Sequence, residues 1–464
     1  MLYGTLHPNN SLFSLHHLQK LDLSLNDFNT SHISSRFGQF SSLTHLNLSG
    51  SDLAGQVPSE ISHLSKMVSL DLSRNDYVSV EPISFDKLSF DKLVRNLTKL
   101  RELDLSCVNM SLVVPDSLMN LSSSLSSLKL DDCGLQGEIS SSICKLRFLQ
   151  VLDLSNNSFR GSTPQCLGNF SNMLSVLHLG MNNLQGTVPS TFSKDNSLEY
   201  LNFNGNELEG KISRSIINCT MLQVLDLGNN KIEDTFPYFL ETLPKLQILV
   251  LKSNTFQGFV KGPTANNSFS KLRILDISDN NFSGPLPTGY FNSLEAMMSS
   301  DQNMIYMNAT NYTGYVYSIE MTWKGVEIEF TKIRSTIRVL DLSNNNFFGE
   351  IPKVIGKLKA LQQLNLSHNS LTGLTFLAIL NLSHNHLEGP IPSGAQFNTF
   401  DASSFEGHLG LCGSQVLKKC YGDEAPSLPP SSFDEGDDST LFGEGFGWKA
   451  VTVGYGCGFH VCKQ

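Results

Sequence analysis

At 464 residues the chain has the length of about three ordinary domains, and with 40% hydrophobic and 16% charged residues it has the composition of an ordered protein. A net charge of −10 removes nucleic acid as a partner, because that binding needs clustered Lys and Arg to displace counterions. The nine cysteines are an odd number, and sequence alone leaves the pairing of Cys107, Cys133, Cys144, Cys166 and Cys219 open.

The chain opens with Met1-Leu2-Tyr3-Gly4, which lacks the basic stretch and apolar run of a signal peptide. Fifteen Asn-x-Ser/Thr sites nevertheless point to a secretory route. Glycans are expected at Asn96, Asn120, Asn169, Asn218, Asn266, Asn308 and Asn311.

The pattern Leu-x-Leu-x-x-Asn then recurs, with its first Leu at 21, 46, 70, 103, 128, 152, 177, 201, 225, 249, 275, 340, 364 and 380. Ten of the thirteen steps are 24 to 26 residues, the period of leucine-rich repeats. A short strand plus a return segment cannot bury its own leucines, so neighbours must stack into one continuous core with a parallel sheet on the concave side. The Asn column is filled eleven times and replaced by Ser51, Val108 and Cys133. A buried amide there is expected to bond to the backbone of neighbouring coils. After it comes a phrase x-Leu-x-Gly-x-Ile-Pro, as in Leu184-Gln185-Gly186-Thr187-Val188-Pro189, where Gly allows a sharp bend and Pro fixes φ.

Three steps are irregular. The 33-residue step from Leu70 holds a tandem duplication, Ser84-Phe85-Asp86-Lys87-Leu88 and Ser89-Phe90-Asp91-Lys92-Leu93, expected to be absorbed as a surface loop-out. The 65-residue step from Leu275 to Leu340 contains about 40 residues that are not repeat. Within it, alternation on either side of Lys324-Gly325 pairs Trp323 with Val326, Met321 with Ile328 and Ile319 with Phe330, which predicts a hairpin packed on the solenoid. The 16-residue step from Leu364 to Leu380 is too short for a full coil and marks a deletion.

Past Pro392 the repeat stops. Cys412 and Cys420 lie where an exposed solenoid end needs covering, and a capping disulfide is expected between them. Residues 421–447 are rich in Pro, Gly and acid, the composition of a linker. Trp448 to Phe459 starts like a membrane helix, with an interfacial Trp and a Gly454-x-x-x-Gly458 spacing, but a span needs about 20 residues and this run is shorter.

The Ile-Pro variant of the repeat resembles the plant extracellular class. The array, the non-repeat island, the few repeats after it, the ending Leu380-Asn381-Leu382-Ser383-His384-Asn385, the stretch Gly394-Ala395-Gln396-Phe397 and the acidic segment before Gly447-Trp448-Lys449-Ala450-Val451 together resemble plant receptor-like proteins of the Cf and Verticillium-resistance type, from about residue 2 to 459. The resemblance implies an α/β leucine-rich-repeat solenoid, superhelical, with a concave parallel β-sheet, about 14 repeats and an island. It also implies a single-pass plasma-membrane setting for the parent protein, a peptide or protein ligand, and a partner receptor-like kinase, since the family has no kinase of its own. The expected division is 1–298 repeat array (about eleven repeats), 299–336 island with hairpin, 337–392 C-terminal repeats (about three, one shortened), 393–420 cap, 421–447 acidic juxtamembrane linker and 448–464 incomplete start of a membrane helix. An alternative is a degenerate or truncated copy acting as a soluble extracellular binder or inhibitor.

Nothing calls for a cofactor or metal, and neither a nucleophile elbow, a His-Glu-x-x-His zinc motif nor a kinase signature occurs. Recognition then falls to the outward positions of the concave sheet. Most repeats carry Leu-Asp-Leu-Ser there, taken as plainly solvated. The repeats at 128, 177, 201 and 249 depart from it, offering Lys129, Asp131, Asp132, His178, Met181, Tyr200, Asn202, Asn204, Val250 and Lys252 as candidate ligand contacts. Sequons at Asn47, Asn156, Asn365 and Asn381 crowd other parts of this face, so its open part is expected between about residues 177 and 254.

Overall fold

The computed structural model describes residues 1–420 except 76–80, 170–171, 266, 300–304, 311–313, 324–325, 373–379, 392–401 and 419. The sequons Asn266 and Asn311, the Lys324-Gly325 turn, the linker 421–447 and the apolar run from Trp448 lie outside the described residues.

Fourteen parallel strands form one sheet. In chain order, eleven precede the island: β1 Lys20–Asp22, β2 His45–Asn47, β3 Ser69–Asp71, β4 Glu102–Asp104, β5 Ser127–Lys129, β6 Val151–Asp153, β7 Val176–His178, β8 Tyr200–Asn202, β9 Val224–Asp226, β10 Ile248–Val250 and β11 Ile274–Asp276. The hairpin strands β12 Ile319–Trp323 and β13 Val326–Phe330 follow, then β14 Val339–Asp341, β15 Gln363–Asn365 and β16 Leu380–Asn381 return to the sheet. The first leucine of every repeat stacks on the next, from Leu21 on Leu46 through to Leu364 on Leu380. Leu275 sits directly on Leu340, so the 65-residue step is looped out without breaking the sheet. The short step keeps its register as well, although residues 373–379 are not described.

The Asn column does what its chemistry suggested. Asn254 Nδ2 donates to Leu227 O of the preceding coil and to Leu251 O and Lys252 O of its own, at 2.9, 3.2 and 3.0 Å. Its Oδ1 accepts from Ile232 N at 3.0 Å, closing a backbone gap that the turn leaves open. Ser51 partly substitutes, its hydroxyl donating to Leu23 O at 2.6 Å, and the Cys133 thiol lies 3.1 Å from Leu105 O. Beyond the Asn, the Gly-containing phrase pairs with its neighbours into a second set of short parallel strands. One such sheet runs from Gln136–Glu138 to Lys231–Ile232 and another from Gln257–Phe259 to Ser370–Thr372. Glycines such as Gly186, at φ +77°, let the chain leave these strands sharply. Inside the coils, Phe256, Phe282 and Phe347 stack at 5.9 and 6.4 Å, continuing the core past the looped-out segment.

The duplication at 84–93 does not form a loop-out. It folds as α1, Lys87–Asn96, capped by Asp86 accepting from Ser89 N. Phe85 and Phe90, the duplicated aromatics, are both buried and meet edge to face at 5.7 Å. Five extra residues convert a 3₁₀ return segment into an α-helix that places a second Phe inside.

At the C-terminal end, Gly410–Cys412 pairs in parallel with Glu388–Pro390, and Leu382 N and His384 N donate to Ser404 O and Glu406 O, both at 2.9 Å. The backbone ladder thus continues past the last Leu-x-Leu motif, with Phe405 and Leu411 filling the core. Cys412 and Cys420 are disulfide-bonded, as expected. A second disulfide, Cys144–Cys166, staples adjacent return segments, whereas Cys133 and Cys219 are buried thiols. Among the described residues, no helix is long and apolar enough to cross a membrane.

Candidate ligand-recognition surface

In each concave strand the residue before the first Leu and the residue after it point away from the core. Before the first Leu the sequence runs Lys20, His45, Ser69, Glu102, Ser127 and then Val151, Val176, Tyr200, Val224, Ile248, Ile274, Val339, returning to polar at Gln363. Seven successive outward positions are therefore apolar or aromatic, and all seven are buried in one cluster with Met307, Ala309, Tyr315, Tyr317, Ile319 and Met321 of the island. The island folds back over the concave face and covers this stripe.

The hairpin pairs as its alternation required: Ile319 with Phe330, Met321 with Ile328, Trp323 with Val326. Polar contacts pin the island along the stripe. Tyr315 Oη donates to Asp153 Oδ2 at 2.7 Å and lies 3.0 Å from His178 Nδ1. Tyr200 Oη donates to Ser318 O at 2.7 Å, and its ring stacks on Tyr317 at 5.0 Å. Tyr317 Oη and Thr310 N both donate to Glu199 at 2.9 Å. Asn204 Nδ2 donates to Glu320 at 2.9 Å, Lys252 pairs with Glu327, and Gln363 Nε2 reaches Thr322 O at 2.8 Å.

This overturns the expectation of an open face between residues 177 and 254. His178, Tyr200, Asn202, Asn204, Val250 and Lys252 are all buried, because the island occupies that stretch. Four candidates remain reachable: Lys129, Asp131 and Asp132, half-buried in the coil before the covered stretch, and Met181, 45% exposed in the turn after β7. Lys129 Nζ pairs with Asp104 at 3.2 Å and lies 5.9 Å from the centre of the Tyr315 ring, joining the open sheet to the island edge. The apolar stripe was missed in the sequence. Val-Leu or Ile-Leu is unremarkable within one strand, and only aligning the repeats column by column shows seven in a row.

Leu-Asp-Leu-Ser is not a plainly solvated motif either. The Asp side chains turn back on their own coil: Asp153, Asp276 and Asp341 each accept from the backbone N–H and the hydroxyl of the Ser two residues on. Burial works against the ionised form of Asp153, but the His178 imidazole and hydroxyls of Ser155 and Tyr315 hold its carboxyl well below the usual range. His178 is correspondingly pushed up by Asp153 against the effect of burial. Burial, then the neighbouring charges of Asp153 and Asp104, push Asp131 up to about 7.

Of the expected glycan sites, Asn96, Asn120, Asn169 and Asn308 are exposed, and Asn218 is half-buried with its amide donating to Phe192 O at 2.8 Å.

A model described as "Leucine-rich repeat region" matches residues 5–298, and "Leucine Rich Repeat" matches 336–358, 360–379 and 376–397. The Arabidopsis thaliana protein "Receptor-like protein 32" is 34% identical over 476 aligned positions, covering 90% of this chain and 48% of that protein. "Receptor like protein 27" of the same plant is 34% identical over 277, covering 52% of this chain and 33% of its own length. The chain thus spans less than half the length of these curated relatives. Among solved structures, the Arabidopsis receptor kinase HAESA, seen with the peptide hormone IDA and the co-receptor SERK1, superimposes with a TM-score of 0.59 at 26% identity, over 89% of this chain and 73% of that one. With a repeat model matching more than half its length and relatives of this kind, the chain belongs to the leucine-rich-repeat family and is a plant receptor-like protein in sequence and fold.

Proposed function

We propose that this chain is the recognition part of a plasma-membrane receptor, and that its ligand is a peptide or protein seated on the concave face of β1–β5 against the edge of the island. The observation that carries this reading is the division of the concave face. From Val151 onward it is filled by the island, whereas Lys20, His45, Ser69 and Glu102, with Asp22, Asn47, Asp71 and Asp104 beside them, lie outside the cluster that the described residues of the island form, and Lys129 meets only its edge at Tyr315. Lys129, Asp131 and Asp132 offer charged anchors at the step between the two parts, and the exposed Met181 offers a flexible apolar one two coils further on. His178, Tyr200, Asn202, Asn204, Val250 and Lys252 hold the island instead of touching ligand. The neighbour HAESA, seen with a peptide hormone and a co-receptor, supports a partner receptor kinase as the route of signalling.

The test is hydrogen exchange on the secreted chain, before and after incubation with size-fractionated peptides from plant extracellular fluid and fungal culture filtrate. Expected is new protection across β3–β5 and residues 129–132, lost at least tenfold in affinity in a Lys129→Glu, Met181→Ala double variant. Protection confined to the convex return segments, such as Pro115–Asn120, overturns the reading.

A further inference from the structure

Asp226 stands in the concave column between Leu225 and Leu227, under the island, and none of its surface reaches solvent. Its Oδ1 accepts from Gly228 N at 3.0 Å, but its Oδ2 has no hydrogen-bond partner among the described residues. Its column neighbours are better served. Asp153 Oδ2 receives Tyr315, and Asp341 Oδ2 receives Asn365 Nδ2 at 3.0 Å. In this coil the usual Ser is Gly228, so the turn supplies no hydroxyl.

The charged groups around Asp226 do not neutralise it. Lys252, just past the end of the next strand, β10, is engaged by Glu327 of β13. Glu320 of β12 faces the site with like charge, held by Asn204 and by Asn229, at 2.9 and 3.4 Å. His178, on β7, is committed to Asp153 at 3.4 Å. Asn202 and Val250, flanking Asp226 in register on β8 and β10, carry no charge, and Asp276 follows on β11. A buried carboxylate oxygen without a donor is strongly unfavourable when ionised, and the group escapes by holding a proton. Burial pushes the Asp226 carboxyl up to about 7.

We propose that the island hairpin is a proton-linked latch, seated on the concave face while Asp226 holds a proton and loosened when Asp226 ionises. With the hairpin lifted, Asp226 would face water and titrate in the ordinary carboxyl range, near 4. Seating therefore takes up a proton between about pH 4 and pH 7, is favoured on the acid side, and loses that advantage as pH rises through 7. One linked proton changes the seated-to-lifted ratio by on the order of 50-fold between pH 5 and pH 7. Burial and then neighbouring sheet carboxylates also push Asp131 and Asp341 up to about 7, and burial raises Glu329 of β13 on the hairpin itself, so a variant must single out Asp226.

Asp226→Asn does so, because the same column already carries Asn202 and Asn365, whose Oδ1 atoms cap the same turn at 2.8 and 3.2 Å. The experiment measures hydrogen exchange of the hairpin amides in the full chain at pH 5 and pH 7, corrected for intrinsic rates and referred to amides of β7–β10. In the natural chain, hairpin protection relative to the sheet should fall about 50-fold over that interval. In Asp226→Asn, and in Asp226→Ser, that fall should be several-fold smaller, the remainder coming from the other buried groups, with the sheet amides reporting that the solenoid is folded. Hairpin protection independent of pH in the natural chain overturns the proposal, and so does an undiminished fall in both variants.

Discussion

At the scale of single residues, two columns that look decorative hold the coils in register. The Asn column is a satisfaction device: one side chain serves an acceptor in the preceding coil, two in its own and a donor that would otherwise be orphaned. Asn254→Ala removes all of these in a buried place, leaving Ile232 N without its acceptor and Leu227 O with only the Asn230 amide at 3.2 Å. The expected loss is about 2–4 kcal/mol, seen as a lower urea midpoint with an unchanged slope. Asn254→Ser should lose clearly less, since Ser51 already fills this column and reaches across to the previous coil. Equal losses would mean that the volume of the amide matters and its hydrogen bonds do not. The Asp column was harder to interpret from the sequence. An Asp beside Ser on a presumed solvent face looks like solubility. Its inward use as a turn cap shows only once the backbone N–H of the Ser is placed.

At the scale of elements, what was legible followed the period. A repeat of 24 to 26 residues specifies which leucines stack, and the stacking is found at every one of the fourteen motifs. The hairpin was legible for the same kind of reason: a two-residue turn between alternating segments admits one register with a single apolar face. The return segments were not, because a five-residue insertion fits equally well as a loop or as an extra turn of helix. What decides is Phe90, which gains a buried place beside Phe85 only if the segment is helical. Phe90→Ala should therefore destabilise the chain by about 3–4 kcal/mol, while Leu88→Ala, at a position 64% exposed, should cost less than about 0.5 kcal/mol. Thermal melting checks both, and near-equal small effects would return the duplication to a surface loop. The outer short-stranded sheets were invisible for a related reason: their strands carry Gly and alternate weakly, and they are held by neighbouring coils rather than by their own sequence.

At the scale of the molecule, the solenoid and the island are two bodies whose fit is written in a column no single repeat reveals. Val151, Val176, Tyr200, Val224, Ile248, Ile274 and Val339 stand on a face that elsewhere carries Lys, His, Ser, Glu and Gln. Left bare, a continuous apolar strip of this length would exceed what a soluble monomer ordinarily exposes. The sheet itself does not need the island, because Leu275 and Leu340 are already stacked with the looped-out segment between them. Excising 299–336 returns that step close to the ordinary repeat length, so the solenoid should still form, with the strip uncovered. The shortened chain is expected to self-associate, and the same chain with Val176→Thr, Tyr200→Ser, Val224→Thr and Ile248→Thr to remain monomeric. Light scattering after size-exclusion chromatography, with circular dichroism to confirm the sheet, distinguishes the two. If the shortened chain without these four changes is already monomeric and folded, the strip is not what the island is there to cover. Its seven apolar positions would then belong to the packing of the strands themselves, and the boundary between the covered and open halves of the concave face would have to be drawn from the polar pins at Asp153, Glu199 and Lys252 alone.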